Sequence, residues 1–152
     1  MGSEQPRRRE NVDAIVAYFV GGVKDEAKSI GIELEHTLVK DGGEPVSYGD
    51  EFGQLWLLNQ LGPEYDSEIR SSAGNLIGLL REGASITLEP AAQVELSAGP
   101  FDSLEDAKRE FMAFEERLER ELDPHGISLL TPGYHPTRRA IDLKLIPKRR
   151  YE

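Results

Sequence analysis

The sequence predicts an α+β domain, an antiparallel sheet with helices packed on one face. Two observations carry that prediction. Residues 29–39 and 84–98 alternate apolar and polar side chains with the period of two that belongs to half-buried strands. Residues 103–122 instead repeat apolar side chains every three or four positions, as a helix with one buried stripe does. Turn-forming glycines and prolines punctuate these runs at the short intervals typical of antiparallel connections.

Taken in order, Val12, Ile15, Val16, Phe19 and Val20 stand at helical spacing and Gly21-Gly22 ends that element, so residues 1–28 read as an N-terminal arm and helix ahead of a body at 29–152. Ser29 to Val39 reads as a strand with Ile32, Leu34, His36 and Leu38 on one parity and Glu33, Glu35 and Thr37 on the other, closed by the turn at 40–44. Phe52, Leu55, Trp56, Leu58 and Leu61 predict a second helix packed through Trp56 and stopped by Gly62-Pro63. A polar stretch over 64–74 leads into 75–78. Residues 84–89 and 92–98 read as two short strands, or one broken at Pro90, ended by Gly99-Pro100. Ser103 then caps a helix with acidic residues in its first turn and the stripe Leu104, Ala107, Phe111, Phe114, Leu118 and Leu122. Asp123-Pro-His-Gly126 stops it, residues 127–130 form a short strand, and residues 131–136 form a loop.

The chain has 152 residues, a common size for one domain, and a formal charge of −10, which repels nucleic acid and anionic membranes at long range. It has no cysteine, hence neither a disulfide framework nor a thiol nucleophile. No apolar run approaches the ~20 residues that cross a bilayer, and Met1 to Arg9 is not followed by the apolar core of a secretion signal. The expected setting is the cytoplasm, with no nucleic acid and no membrane as partner.

The carboxylates carry the chemistry. Glu33 and Glu35 share one strand face, and Glu89, Gln93 and Glu95 can share the face of the second run, with Pro90 and two alanines placed to bulge the strand toward a site. Packed carboxylates repel unless a cation neutralises them, and an oxygen-only set without Cys suits a hard ion such as Mg²⁺. The competing explanation is that alternating glutamates simply line a solvated sheet face. His36 falls on the apolar parity and reads as a hydrogen-bonded core residue, whereas His135 in its loop is open to either role. Residues 138–152 carry six basic side chains that either hold carboxylates and phosphates or form a solvated end.

Five segments in order, Gly31-Ile-Glu-Leu-Glu35, Gly74-Asn-Leu-Ile-Gly-Leu79, Ile86-Thr-Leu-Glu-Pro-Ala-Ala-Gln-Val-Glu-Leu-Ser97, Gly133-Tyr-His-Pro136 and Ile146-Pro-Lys-Arg-Arg-Tyr151, resemble the glutamate–cysteine ligases of the plant, proteobacterial and actinobacterial type. The resemblance covers about residues 30–152. Two departures stand out: Ala91-Ala92 occupies a place where that family usually has one or two glycines, and Pro-Lys-Arg-Arg-Tyr replaces Pro-Lys-Gly-Arg-Tyr.

The resemblance implies a glutamine-synthetase-like sheet curled into a funnel, with Glu33, Glu35, Glu89 and Glu95 holding Mg²⁺ on its inner face and Gln93 and Arg150 touching the amino-acid substrate. It implies ATP-dependent ligation of the glutamate γ-carboxylate to the amine of cysteine through an acyl phosphate, with glutamate, cysteine and ATP as ligands and no protein nucleophile. Members of that family are more than twice as long, so the chain is expected to be the N-terminal portion of the catalytic domain, inactive alone. Its partner would be the missing C-terminal half, or another copy paired through an exposed sheet edge. Two alternatives use the same residues: a non-catalytic module for a divalent cation or metabolite, and a carboxylate–amine ligase with a different amine acceptor.

Overall fold

The computed structural model describes residues 4–24, 26 and 28–151; the first three residues of the N-terminal arm, with Asp25, Ala27 and Glu152, lie outside the described residues. Among the described residues six strands form one antiparallel sheet in the order β2-β3-β4-β5-β1-β6. They are β1 (Ile30–Lys40), β2 (Ser67–Arg70), β3 (Leu76–Arg81), β4 (Ala84–Leu88), β5 (Val94–Phe101) and β6 (Ile127–Leu130). Helices α2 (Gln54–Leu61) and α3 (Leu104–Leu122) cover one face, α3 over β5 and β6 and α2 against β3. Among the described residues no helix is long and apolar enough to cross a membrane.

The period of two decides which face is buried. Leu34 and Leu38 of β1, Val94 and Leu96 of β5 and Ile86 and Leu88 of β4 join one apolar cluster with Leu57, Leu58 and Leu61 of α2 and Phe111, Phe114, Leu118 and Leu122 of α3. Ser103 caps α3 as expected, its hydroxyl oxygen accepting from the Asp106 N–H at 3.1 Å. His36 is a core residue: fully buried, it meets Glu115 of α3 at 3.0 Å and lies edge-on to Phe114.

Several elements differ from the sequence expectation. Leu104 is 67 % exposed, so the buried stripe of α3 begins at Ala107. Trp56 is only half buried; α2 packs through Leu57, Leu58 and Leu61, while Trp56 sits edge-on to Phe52 and His125 at the rim. The stretch read as polar contains β2, a short edge strand, and it leads into β3. Leu76, Ile77, Gly78 and Leu79 are all buried, which hides the alternation, and a β-carbon at Gly78 would lie 2.5 Å from the Ile86 carbonyl oxygen. Strand β5 also runs past Gly99-Pro100 to Phe101: Ile30 pairs with Phe101 and Ile32 with Ala98, so Pro100 sits in a bulge that asks no ladder hydrogen bond of it.

The first helix, α1 (Glu4–Gly21), starts earlier than its apolar stripe, since Pro6 falls in the first turn where backbone N–H groups have no helical partner. Val12, Ile15, Val16, Phe19 and Val20 are each more than half exposed, so none of these five joins the core.

Burial separates the positions of α3 by cost. Phe111→Ala should destabilise by ~3–5 kcal/mol, the range for deleting a buried ring, and Leu104→Ala by less than ~0.5 kcal/mol. Urea denaturation midpoints check both, and equal costs would contradict the assigned face.

Candidate active site

The antiparallel register assembles the acidic face. Glu35 of β1 lies directly opposite Glu95 of β5 and Glu33 opposite Ser97, while Thr87 of β4 lies opposite Glu95 from the other side. Directly paired residues in such a ladder have β-carbons ~5 Å apart, so two carboxylates placed there repel. Hydroxyls answer part of that charge: Thr87 donates to Glu95 Oε1 at 2.9 Å, and the Ser97 hydroxyl lies 3.2 Å from the same oxygen and 3.3 Å from Glu33 Oε1. Gln93 reaches Glu35 Oε2 with its amide nitrogen at 3.5 Å. Thr87 and Ser97 escaped the sequence reading, although both share the parity of Glu89 and Glu95.

The hairpin between β4 and β5 sets Glu89. Its N–H donates to the Gln93 carbonyl at 3.0 Å, and the Ala92 N–H returns to the Glu89 carbonyl at 2.8 Å, enclosing Pro90, Ala91 and Ala92. Ala92 takes a left-handed φ of 67°, which closes such a three-residue loop. Strand pairing resumes at Leu88 and Val94, so this is a hairpin rather than one strand broken at Pro90.

The four glutamates therefore lie near enough on one face to interact. Burial raises the carboxyl of Glu35 above its ordinary range, and the charges of Glu89, Glu95 and Glu33 raise it further. Without an ion, no group of three or more acidic, histidine or cysteine side chains among the described residues stands gathered as the ligands of one metal. The strand rise explains this, since Glu33 and Glu35 are ~7 Å apart along β1, so the carboxylates form a ladder. Carboxylates with a neighbouring amide are hard oxygen donors, and a cation such as Mg²⁺ would relieve the repulsion that raises Glu35.

Arg150 stands elsewhere. It lies in the short turn Arg149–Tyr151 with its guanidinium 4.7 Å from the centre of the Tyr151 ring, and among the described residues no ion pair joins it to the four glutamates. Just upstream the chain docks at Ile146, which is buried and whose N–H donates to the Pro90 carbonyl at 3.0 Å, beside the hairpin that carries Glu89, while Arg149 and Arg150 themselves are exposed. Upstream in the same tail, Arg138 pairs with Glu44 and Arg139 with Asp142.

A carboxyl raised on folding binds its proton more tightly in the folded state than in the unfolded one. Its contribution to stability is therefore present below the ordinary carboxylate range and is lost as pH rises through the raised range, leaving a penalty at neutral pH. Without added divalent cation, Glu35→Gln should raise the melting temperature at pH 7 and flatten its decline between mildly acidic and neutral pH. Melting curves across that range test this, and a lower melting temperature for the variant at pH 7 would contradict it.

Comparison with known proteins bears on the same segments. The sequence model of glutamate-cysteine ligase family 2 matches residues 29–152. The chain is 32% identical over 148 residues to the chloroplastic glutamate–cysteine ligase of Nicotiana tabacum, covering 91% of this chain and 26% of that protein. It is 31% identical over 154 residues to the chloroplastic enzymes of Brassica juncea and Arabidopsis thaliana, covering 97% of this chain and 28% of each. The chain thus spans about a quarter of the length of these relatives. Their names place them in chloroplasts, which overturns the expectation of a plainly cytoplasmic protein. The family match over the whole sheet and its acidic face leaves one assignment: the chain belongs to glutamate-cysteine ligase family 2.

Proposed function

We propose that this chain supplies the acidic face of an ATP-dependent ligase that joins the γ-carboxylate of glutamate to the amine of cysteine. The observation that carries the reading is the cross-strand pair Glu35–Glu95, flanked by Glu33 and Glu89 on one sheet face within the segment that matches the family. In this reading ATP phosphorylates the γ-carboxylate, the cysteine amine attacks the resulting acyl phosphate, and phosphate leaves. The protein contributes position and charge rather than a nucleophile.

Glu33, Glu35, Glu89 and Glu95 would hold Mg²⁺, which when bound neutralises phosphate oxygens crowded at the transferring group. The chain's own residues arrange that ladder. Thr87 and Ser97 orient the Glu95 carboxylate, and the Gln93 amide bridges Glu35 to the β4–β5 hairpin. Arg150 is proposed to meet the amino-acid substrate after its side chain swings off Tyr151. Because the chain spans about a quarter of its relatives, these residues are proposed to need further sequence for turnover.

Fusing the chain to the remaining three-quarters of the tobacco relative tests this. With ATP and Mg²⁺ the fusion should release phosphate only when glutamate is present and form γ-glutamylcysteine when cysteine is added, while the isolated chain releases none above background. Glu33→Ala or Glu95→Ala should lower the rate by at least ~10²-fold, about what losing one fixed electrostatic partner of a transition state costs. A fusion that melts cooperatively yet releases no phosphate would overturn the reading.

A further inference from the structure

Helix α1 carries an apolar stripe that nothing covers among the described residues. Val12, Ile15, Val16, Phe19 and Val20, with Val23 just past the helix end, are between 51 % and 77 % exposed, and no other helix or strand packs along them. Their order is that of a helix–helix seam. Val12, Val16 and Phe19 follow one another at intervals of four and three residues, as the a and d positions of a coiled coil do, and Ile15 and Val20 flank them on either side. Glu10, Ala14 and Ala17 lie on the opposite side.

A helix of this kind needs a cover to persist. It has 18 residues, little more than the ~12–15 below which isolated helices are marginal in water, and its valines, isoleucine and aromatic residues are poorer helix formers than alanine. Its stability must come from packing of the apolar face. An exposed apolar patch of more than a few hundred Å² marks an interaction surface in a soluble protein. The six side chains expose roughly 600 Å² per copy, so two such stripes laid together bury up to about 1,200 Å², the lower edge of stable protein interfaces. An anionic membrane does not fit as the cover, because Glu10 and Asp13 stand beside the stripe and the whole chain carries a formal charge of −10.

We propose that α1 is a self-association helix, through which two copies of the chain pair antiparallel by their apolar stripes. Charge sets the direction. Arg8 and Arg9 are exposed just before the stripe, so a parallel pair would set them against their own counterparts. An antiparallel pair sets them beside the last turn of the partner helix, where the helix dipole is negative and a cation is favoured. The same arrangement places Val16 of each copy against Phe19 of the other and Ile15 against Val20. A shallow hollow lined by Ala17, Tyr18, Phe19, Gly21, Gly22 and Val23 marks the end of the stripe, and the open space around Gly21 leaves room there for the second copy's Val12. Because α1 lies ahead of residue 29, where the family match begins, the pairing is independent of the ligase reading.

Analytical ultracentrifugation of the chain tests the pairing. From ~5 to ~500 µM it should follow a monomer–dimer equilibrium with a dissociation constant of about 1–100 µM, as suits an interface of the smallest stable size. Val16→Asp and Phe19→Asp should each weaken the dimer at least ~30-fold. Neither should change the melting temperature of the sheet under conditions where both proteins are monomeric, since neither side chain joins the core. Arg9→Glu should weaken the dimer at least ~3-fold, because it sets an acid beside the negative end of the partner helix. The helical signal in circular dichroism should rise with concentration for the native chain and stay flat for Phe19→Asp. A chain still monomeric at ~500 µM overturns the proposal, as does a dimer that Phe19→Asp leaves intact, which would mark pairing through a sheet edge. Tighter association of Arg9→Glu would mean parallel helices and overturn the antiparallel arrangement.

Discussion

The pairing of β1 with β5 is the constraint on which the rest of the molecule depends. It sets Leu34 opposite Leu96 and His36 opposite Val94 beneath α3, and by the same register sets Glu35 opposite Glu95 on the other face. A slip of one residue would exchange the faces, driving the glutamates into the core and the leucines into water. Core and candidate site are thus two sides of one choice. The apolar side enforces it, which lets the acidic side carry repulsion that would otherwise splay the strands.

That coupling explains what was legible in the sequence. The period of two in β1 and β5 and the stripe of α3 are direct projections of burial, so the fold class, the helix cap and the shared face of the glutamates could be read from residue order. Strand β3 could not, because both of its faces are buried near Gly78 and the alternation vanishes. Leu104 misled for the opposite reason: it keeps the helical spacing but falls before α3 reaches the sheet. The spacing of the carboxylates along the face follows from strand rise, which parity alone does not reveal.

The hairpin at Pro90 to Ala92 shows how a non-glycine residue is accommodated in a left-handed conformation. A left-handed φ costs a non-glycine residue ~1–2 kcal/mol. Ala92 is buried in the core, where its methyl contributes ~0.8 kcal/mol, and alanine restricts the unfolded chain relative to glycine by a further ~0.4–1 kcal/mol. These nearly cancel, so alanine holds the turn about as well as glycine would. The turn matters because it fixes Glu89 and Gln93 together, and Gln93 reaches Glu35.

We propose that the four glutamates act as one electrostatic unit that a hard cation neutralises. Thermal melting of the chain and of its Glu33→Gln, Glu35→Gln, Glu89→Gln, Glu95→Gln quadruple variant, each with and without millimolar Mg²⁺, tests it directly. A cation binding only the folded state stabilises by mass action, ~1.4 kcal/mol at tenfold excess over its dissociation constant. The account predicts that Mg²⁺ raises the melting temperature of the native chain and leaves the quadruple variant unmoved. An unchanged native curve, or an equal rise in both proteins, would contradict it.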